Sequence, residues 1–304
     1  MSDPWGKLVS AGLARVGVEL GGLTTYKLGG PAAYFVEANE VSTLAATAET
    51  LAASPMPILV LGRGSNLVIA DDGFRGVVIR LGRRFAGIDV GPAVTAGGAA
   101  GMPQVARTAT ANGRRGVEFM IGIPGTVGGG VRQNAGCFGG EVVDVLLSAD
   151  IYDLARGEQV SIGASDLQMS YRQTNVRPTQ IVLFAQFRTE SGDAEAGSEL
   201  IREITRWRRL HQPGGTLNAG SVFKNPVDDS AGRIIDSLGL KGTAVGGASV
   251  SEKHANFFVA MPGTKAVEVY LLVQKVRAEV RARTGIDLEP EIQFAGRFAD
   301  DGKG

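Results

Sequence analysis

The chain has 304 residues, 44% of them hydrophobic and 20% charged, a balance that suits a globular protein of two or three substructures. Lys plus Arg is 31 and Asp plus Glu is 31, so no global field holds a polyanion and a nucleic-acid partner is not expected. The single cysteine, Cys137, excludes an intrachain disulfide framework and a cysteine metal cluster, and no metal site is expected.

Along the chain, Leu44, Ala48 and Leu51 share one face of a helix over 42–53. Pro57 to Leu61 reads as a buried strand stopped by Gly62, and Val77 to Leu81 as another. Pro103 opens a helix that Gly113 ends. Ile181-Val182-Leu183-Phe184 begins a strand. The small, polar run from Ser191 to Gly197 reads as a break, with a helix over 198–209 that turns Leu200, Ile201 and Ile204 inward. Residues 230–238 form a short helix stopped by Gly239, and Val269, Val273, Val276 and Val280 line one face of a long one. The last residues, 299–304, are expected to be a disordered tail. The amino-terminal Met1-Ser2-Asp3-Pro4-Trp5 lacks a signal peptide's basic start and apolar run, and no run reaches about 18 apolar residues, so a cytoplasmic chain without a membrane partner is expected. Strands and helices alternate, which predicts an α+β fold.

Glycine, at 44 residues, is the outlier. It clusters between strand-like runs, where loops can wrap a ligand. In Gly62-Arg63-Gly64-Ser65-Asn66-Leu67, adjacent amides can form an anion nest. The third glycine of a dinucleotide fingerprint is absent, as is the Gly-Lys-Ser/Thr of a P-loop, and alone the segment reads first as a polar hairpin. The run Gly122-Ile123-Pro124-Gly125-Thr126-Val127-Gly128-Gly129-Gly130, continuing to Asn134 and Gly136, is no Gly/Ser linker, because apolar residues and Pro124 interrupt it. Its exposed amides suit a pyrophosphate, and Thr126 and Asn134 can hydrogen-bond a flat heterocycle. Ser221 follows Gly220 but lies in no nucleophile elbow, and with His211 and His254 the available histidines, a Ser-His-Asp hydrolase is disfavoured. His254 reads as structural and Cys137 as a small buried filler.

Taken in order, Gly62 to Asn66, Gly122 to Gly129, Tyr171-Arg172, Gly220-Ser221-Val222-Phe223-Lys224-Asn225-Pro226 and Leu288-Glu289-Pro290-Glu291 resemble the UDP-N-acetylenolpyruvoylglucosamine reductase family, from about Thr24 to Gly296. The length resembles the shorter class, which lacks an inserted tyrosine loop. The resemblance implies a two-part FAD-binding region of the vanillyl-alcohol-oxidase type over residues 1–192, with subdomains of about 1–90 and 91–192. A smaller α/β substrate-binding domain would follow over 193–298. It implies non-covalent FAD, NADPH as hydride donor and a UDP-sugar substrate in peptidoglycan precursor synthesis. Carried over, Ser221 is the proton donor, and Arg172 and Glu291 stabilise the enolate-like intermediate. The Gly62–Leu67 and Gly122–Gly136 segments hold FAD, and Tyr171, Lys224, Asn225 and His211 lie near substrate. Thr174 stands where the family usually has serine, His211 where many members have lysine, and Arg132 has no assigned role. The competing reading is a flavin-dependent alcohol or sugar oxidase with the same type of FAD-binding region.

Overall fold

A computed structural model describes residues Asp3–Phe298; the tail expected at 299–304 lies outside them. The chain divides into two compact units that do not follow chain order. The first takes the segment ending at Val16, then Tyr34–Gly62 and Gly76–Arg208. The second takes Gly17–Ala33, Arg63–Arg75 and the chain from Arg209 onwards. Each unit therefore draws on chain from both sides of residues 192 and 193.

The first unit holds a five-stranded sheet in the order Glu158–Gly163, Leu146–Asp153, Gln180–Arg188, Ala93–Gly97, Ile88–Val90. All its pairings are antiparallel. The helix Met102–Ala111 supplies Met102, Val105, Ala106 and Ala109 to the core that this sheet shares with Val127 and Phe187. A second sheet has the order Arg15–Glu19, Pro31–Ala38, Phe74–Leu81, Ile58–Val60, its last pair parallel. The helix Val41–Ala53 lays Leu44, Ala48 and Leu51 against Val36, Val77 and Ile79. Alternation of buried and open positions in these strands and the heptad-like spacing in the helices produce an α+β architecture.

The helix expected over 198–209 starts earlier, at Ala194, and ends at His211. The small residues that read as a break serve packing. A Cβ on Gly197 would stand 2.6 Å from Thr110 Cγ2, so only glycine lets this turn lie so close. Ile204 is buried as expected, while Leu200 and Ile201 are half-buried.

In the second unit, the strands Ala244–Val245, Ala248–Val250 and Phe258–Ala260 form an antiparallel sheet. Leu67–Ile69 pairs in parallel with Gln293–Ala295. The helix Ala266–Thr284 buries Val269, Val273, Val276 and Val280 completely, and each such side chain stabilises by about 1.5–3 kcal/mol. The cap at its start comes from far away. Asp71 accepts from the Ala266 N–H at 2.8 Å and the Val267 N–H at 3.0 Å, satisfying two otherwise orphaned donors. Gly285, at φ +77, ends the helix. Among the described residues no helix is long and apolar enough to cross a membrane.

Tyr26 lies within this second core, and its hydroxyl donates to the Phe258 carbonyl at 2.8 Å. Burial pushes the phenol's pKa above its ordinary value, so it stays a neutral donor. Tyr26→Phe leaves that carbonyl without its donor and is expected to cost about 1–3 kcal/mol, read as a lower urea midpoint at unchanged slope.

Candidate active site

The segment Gly62–Leu67 leaves the strand Ile58–Val60 and enters the strand Leu67–Ile69. Gly64 sits at φ +59, and a Cβ there would stand 2.8 Å from Thr24 Cα. Its carbonyl accepts from the Thr25 N–H at 3.3 Å and the Thr25 hydroxyl at 3.2 Å. Thr24 and Thr25 therefore clamp the loop. Among the described residues, the amides of Arg63, Gly64 and Ser65 donate to no protein acceptor, although Gly64 is buried. Consecutive unengaged amides are what an anion nest requires. Asn66 does something else. Its Nδ2 donates to the Glu291 carbonyl at 3.0 Å, and its own carbonyl accepts from the Gln293 N–H at 3.0 Å.

The second glycine segment corrects the expectation of an exposed row of amides. A short helix, Val127–Arg132, forms within it, capped by Thr126. The amides of Val127 and Gly128 donate to the carbonyls of Ala100 and Gly98, both at 2.9 Å. The amide of Gly129 donates to Thr126 Oγ1 at 3.4 Å and that of Gly130 to the Thr126 carbonyl at 2.8 Å. Among the described residues, the amides of Gly125 and Thr126 are the ones here without a protein acceptor. Gly62 packs on this turn: its Cβ, if present, would stand 2.6 Å from Thr126 Oγ1.

Asn134 was expected to bond a flat heterocycle, but its side chain is committed to protein. It is fully buried at φ +42. Its Oδ1 accepts from the Val143 N–H at 2.8 Å, and its Nδ2 donates to Glu141 Oε2 and the Ser170 carbonyl, each at 3.0 Å. Glu141 Oε1 in turn accepts from Arg172 Nη1 at 2.7 Å. Arg172 also donates to the carbonyls of Asn134 and Gly136, and its guanidinium lies 4.8 Å from the Tyr171 ring centroid. Thr174 keeps the hydroxyl that a serine would offer: it donates to the Arg132 carbonyl at 2.7 Å. Arg132 Nη1 donates to the Arg177 carbonyl at 3.0 Å, a packing role, and burial lowers its pKa from the ordinary value. Burial raises the Cys137 thiol, with Arg208 and Arg172 opposing, which suits a filler better than a nucleophile.

In the second unit, Ser221 and Glu291 lie on neighbouring extended segments. The Val222 carbonyl accepts from the Glu291 N–H at 2.8 Å, and Lys224 N–H donates to the Glu289 carbonyl at 2.9 Å. Buried Asn256, which sequence reasoning passed over, fixes this stretch: its Oδ1 accepts from the Phe223 N–H at 2.9 Å and its Nδ2 donates to the Phe223 carbonyl at 2.8 Å. The Ser221 hydroxyl has no protein partner among the described residues. Lys224 Nζ pairs with Glu289 at 2.7 Å, and Asn225 Oδ1 accepts from the Ala231 N–H at 3.1 Å, capping the helix Ala231–Ser237. His211 ends its helix, exposed. His254 is structural as expected: its Nδ1 accepts from the Asn256 N–H at 3.2 Å, and burial, then the Lys241 and His211 charges, lower its pKa. Arg172, Tyr171 and the whole second glycine segment belong to the first unit, Ser221, Lys224, Asn225, His211 and Glu291 to the second.

Residues 32–163 match the family described as FAD binding domain, so the chain is a flavoprotein oxidoreductase, and the close backbone approaches and unengaged amides fit that group. Residues 212–295 match the family described as UDP-N-acetylenolpyruvoylglucosamine reductase, C-terminal domain. The UDP-N-acetylenolpyruvoylglucosamine reductase of Rubrobacter xylanophilus is 40% identical over 276 residues, 90% of this chain and 92% of its own. That of Novosphingobium aromaticivorans is 41% identical over 278 residues, 90% of this chain and 93% of its own. The crystal structure of UDP-N-acetylenolpyruvylglucosamine reductase from Thermus caldophilus superposes with a TM-score of 0.82 at 33% identity, over 93% of this chain and all of that one, 100%. The chain belongs to the UDP-N-acetylenolpyruvoylglucosamine reductase family.

Gly64→Ala would force a side chain into a left-handed conformation and against Thr24, at about 1–3 kcal/mol. It is expected to weaken FAD binding about tenfold or more, read as the flavin-to-protein absorbance ratio after purification. Gly157→Ala carries the same backbone cost, at φ +68 in open space, and should keep its flavin.

Proposed function

We propose that the chain reduces the enolpyruvyl group of UDP-N-acetylglucosamine enolpyruvate to the lactyl ether, UDP-N-acetylmuramate, with NADPH, in the cytoplasm. The observation that carries the reading is the 40% identity to a reductase of that name across 90% of this chain. The FAD-binding region is assigned to residues 1–192 and the substrate-binding domain to 193–298, consistent with the two matched families.

The substrate is an enol ether conjugated to a carboxylate. FAD, when bound, would supply the hydride for the methylene carbon, with NADPH as its source. The electron pair of the double bond then moves onto the carboxylate as an enolate. Arg172 offers that charge a fixed cation, and a fixed cation stabilises developing charge without reorganising. Ser221 gives its hydroxyl proton to the carbon bearing the ether oxygen and is reprotonated from solvent. A hydroxyl engaged elsewhere could not do this, and that of Ser221 has no protein partner among the described residues. Asn256 holds the backbone two residues on, which limits how far the serine can drift. Glu291, its backbone fixed by Val222 and Asn66, must be protonated or well hydrogen-bonded beside the enolate. Tyr171, Lys224, Asn225 and His211 are assigned to the substrate. Gly62 to Leu67, and Gly122, Ile123, Pro124, Gly125, Thr126, Gly128, Gly129 and Gly136, are assigned to FAD, with Asn134 acting through the backbone around it.

The purified protein is expected to be yellow, to bleach with NADPH and to recolour anaerobically with the enolpyruvyl nucleotide sugar. Oxygen uptake driven by an alcohol or sugar without NADPH oxidation would replace this reading with an oxidase. Ser221→Ala should bleach with NADPH at nearly the wild-type rate, because no proton from Ser221 is used there. Its reoxidation by the enolpyruvyl substrate should slow about 10²–10⁴-fold, the range for a lost general acid, in stopped-flow absorbance of each half-reaction.

A further inference from the structure

We propose that Glu141 is a positioning residue for Arg172, acting through a buried amide whose orientation the backbone dictates; this rests on the function proposed above. Arg172 does not hold its place by local preference. Its backbone sits at φ +56, a conformation arginine rarely adopts. Its guanidinium is steered by partners, and Glu141 brings a carboxylate to within 2.7 Å of Nη1, beside the carbonyls of Asn134 and Gly136. Both side chains are mostly covered, 16% exposed for Arg172 and 30% for Glu141, so the pair is shielded from solvent more than a surface bridge.

The chemistry demanded of position 141 follows from Asn134. The Val143 N–H points at Asn134 Oδ1, so that oxygen must face Val143 and the amide cannot flip. Nδ2 is then obliged to face the other way, where it donates to Ser170's carbonyl and to Glu141 Oε2. Glu141 therefore meets a donor on each oxygen: Asn134 on one, Arg172 on the other. A carboxylate accepts on both arms, whereas a glutamine amide accepts on one and presents a donor on the other. The backbone of Glu141 is fixed as well, its N–H donating to Asp144 Oδ2 at 2.8 Å. Gly136 closes the remaining space: a Cβ there would stand 2.7 Å from Glu141 Cγ and 3.1 Å from Arg172 Nη1. The Asn134 amide sets the carboxylate, and the carboxylate sets the guanidinium.

The charge of Glu141 adds a second, separable consequence. It offsets part of the positive potential of Arg172, so removing it should not weaken the attraction of an anionic substrate. Orientation should suffer instead. Glu141→Gln is expected to slow flavin reoxidation at saturating enolpyruvyl nucleotide sugar about 10–100-fold, the size typical when a partner that orients a functional group is lost. Substrate dissociation constant, flavin content and the rate of bleaching by NADPH should stay within about twofold of wild type. In an Arg172→Ala background, Glu141→Gln should add less than about threefold, because the group it positions is gone. Glu141→Asp, which keeps two acceptors, should recover part of the lost rate. The proposal is overturned if Glu141→Gln reoxidises at the wild-type rate, or loses flavin and slows both half-reactions together. It is equally overturned if Glu141→Gln costs as much without Arg172 as with it. A wild-type protein that bleaches with NADPH but never recolours with the enolpyruvyl sugar overturns the proposed function itself, and this proposal with it.

Discussion

At Gly62 and Gly64 the chain carries hydrogen where any other residue would carry carbon, and the loops on either side depend on that difference. Thr126 Oγ1 crowds the place of one missing Cβ, at 2.6 Å, and Thr24 Cα crowds the other, at 2.8 Å. At Gly64 the contact cannot be relaxed by moving a flexible side chain, because the obstructing atom is backbone. In the same loop the Arg63, Gly64 and Ser65 amides donate to no protein acceptor among the described residues. A phosphate-bearing cofactor needs donors already aimed and already without partners, since donors bonded within the protein would have to break those bonds first.

Near the side chains with proposed chemistry, the fixed parts are amides of asparagine. Asn256 bonds both backbone groups of Phe223, and Asn134 bonds three groups on two segments, Glu141 with Val143 and Ser170. A buried carboxamide has donors and an acceptor in fixed geometry, and once one is committed the others are aimed. The residues proposed to do chemistry are thus held by residues to which none is assigned.

Sequence patterning carried the elements whose signal is local. Val269, Val273, Val276 and Val280 lie on one buried helix face, and Gly285 and Gly239 stop helices at positive φ. The segment from Ser191 to Gly197 misled because small residues mark both loops and tight packing; the contact of Gly197 with Thr110 is invisible in the linear order. Asn134, set among glycines, looked like a ligand contact, yet its neighbours prove to be Glu141, Val143 and Ser170. Glu141 and Asn256 were passed over for the same reason. Their partners are specified by the fold, and neither residue has a signature in its own window. The three groups with proposed chemistry, Ser221, Arg172 and Glu291, were proposed from family resemblance, not from composition or period.

The second unit gathers its core from three stretches of chain, and the bond from Tyr26 to Phe258 spans 232 residues. At a synthesis rate of about 5–20 residues per second, the early stretch would wait roughly 10–50 s on the ribosome for its partner. Through that interval Tyr26, Leu28 and Val68 have no core to enter, because the residues that cover them, such as Phe223, Phe258 and Val273, have not been made. The cap that Asp71 places on the helix at Ala266 closes a loop of 195 residues and forms among the last contacts. The nascent protein therefore carries sticky, unfinished surface for most of its synthesis, and its demand on chaperones is set by topology rather than by final stability.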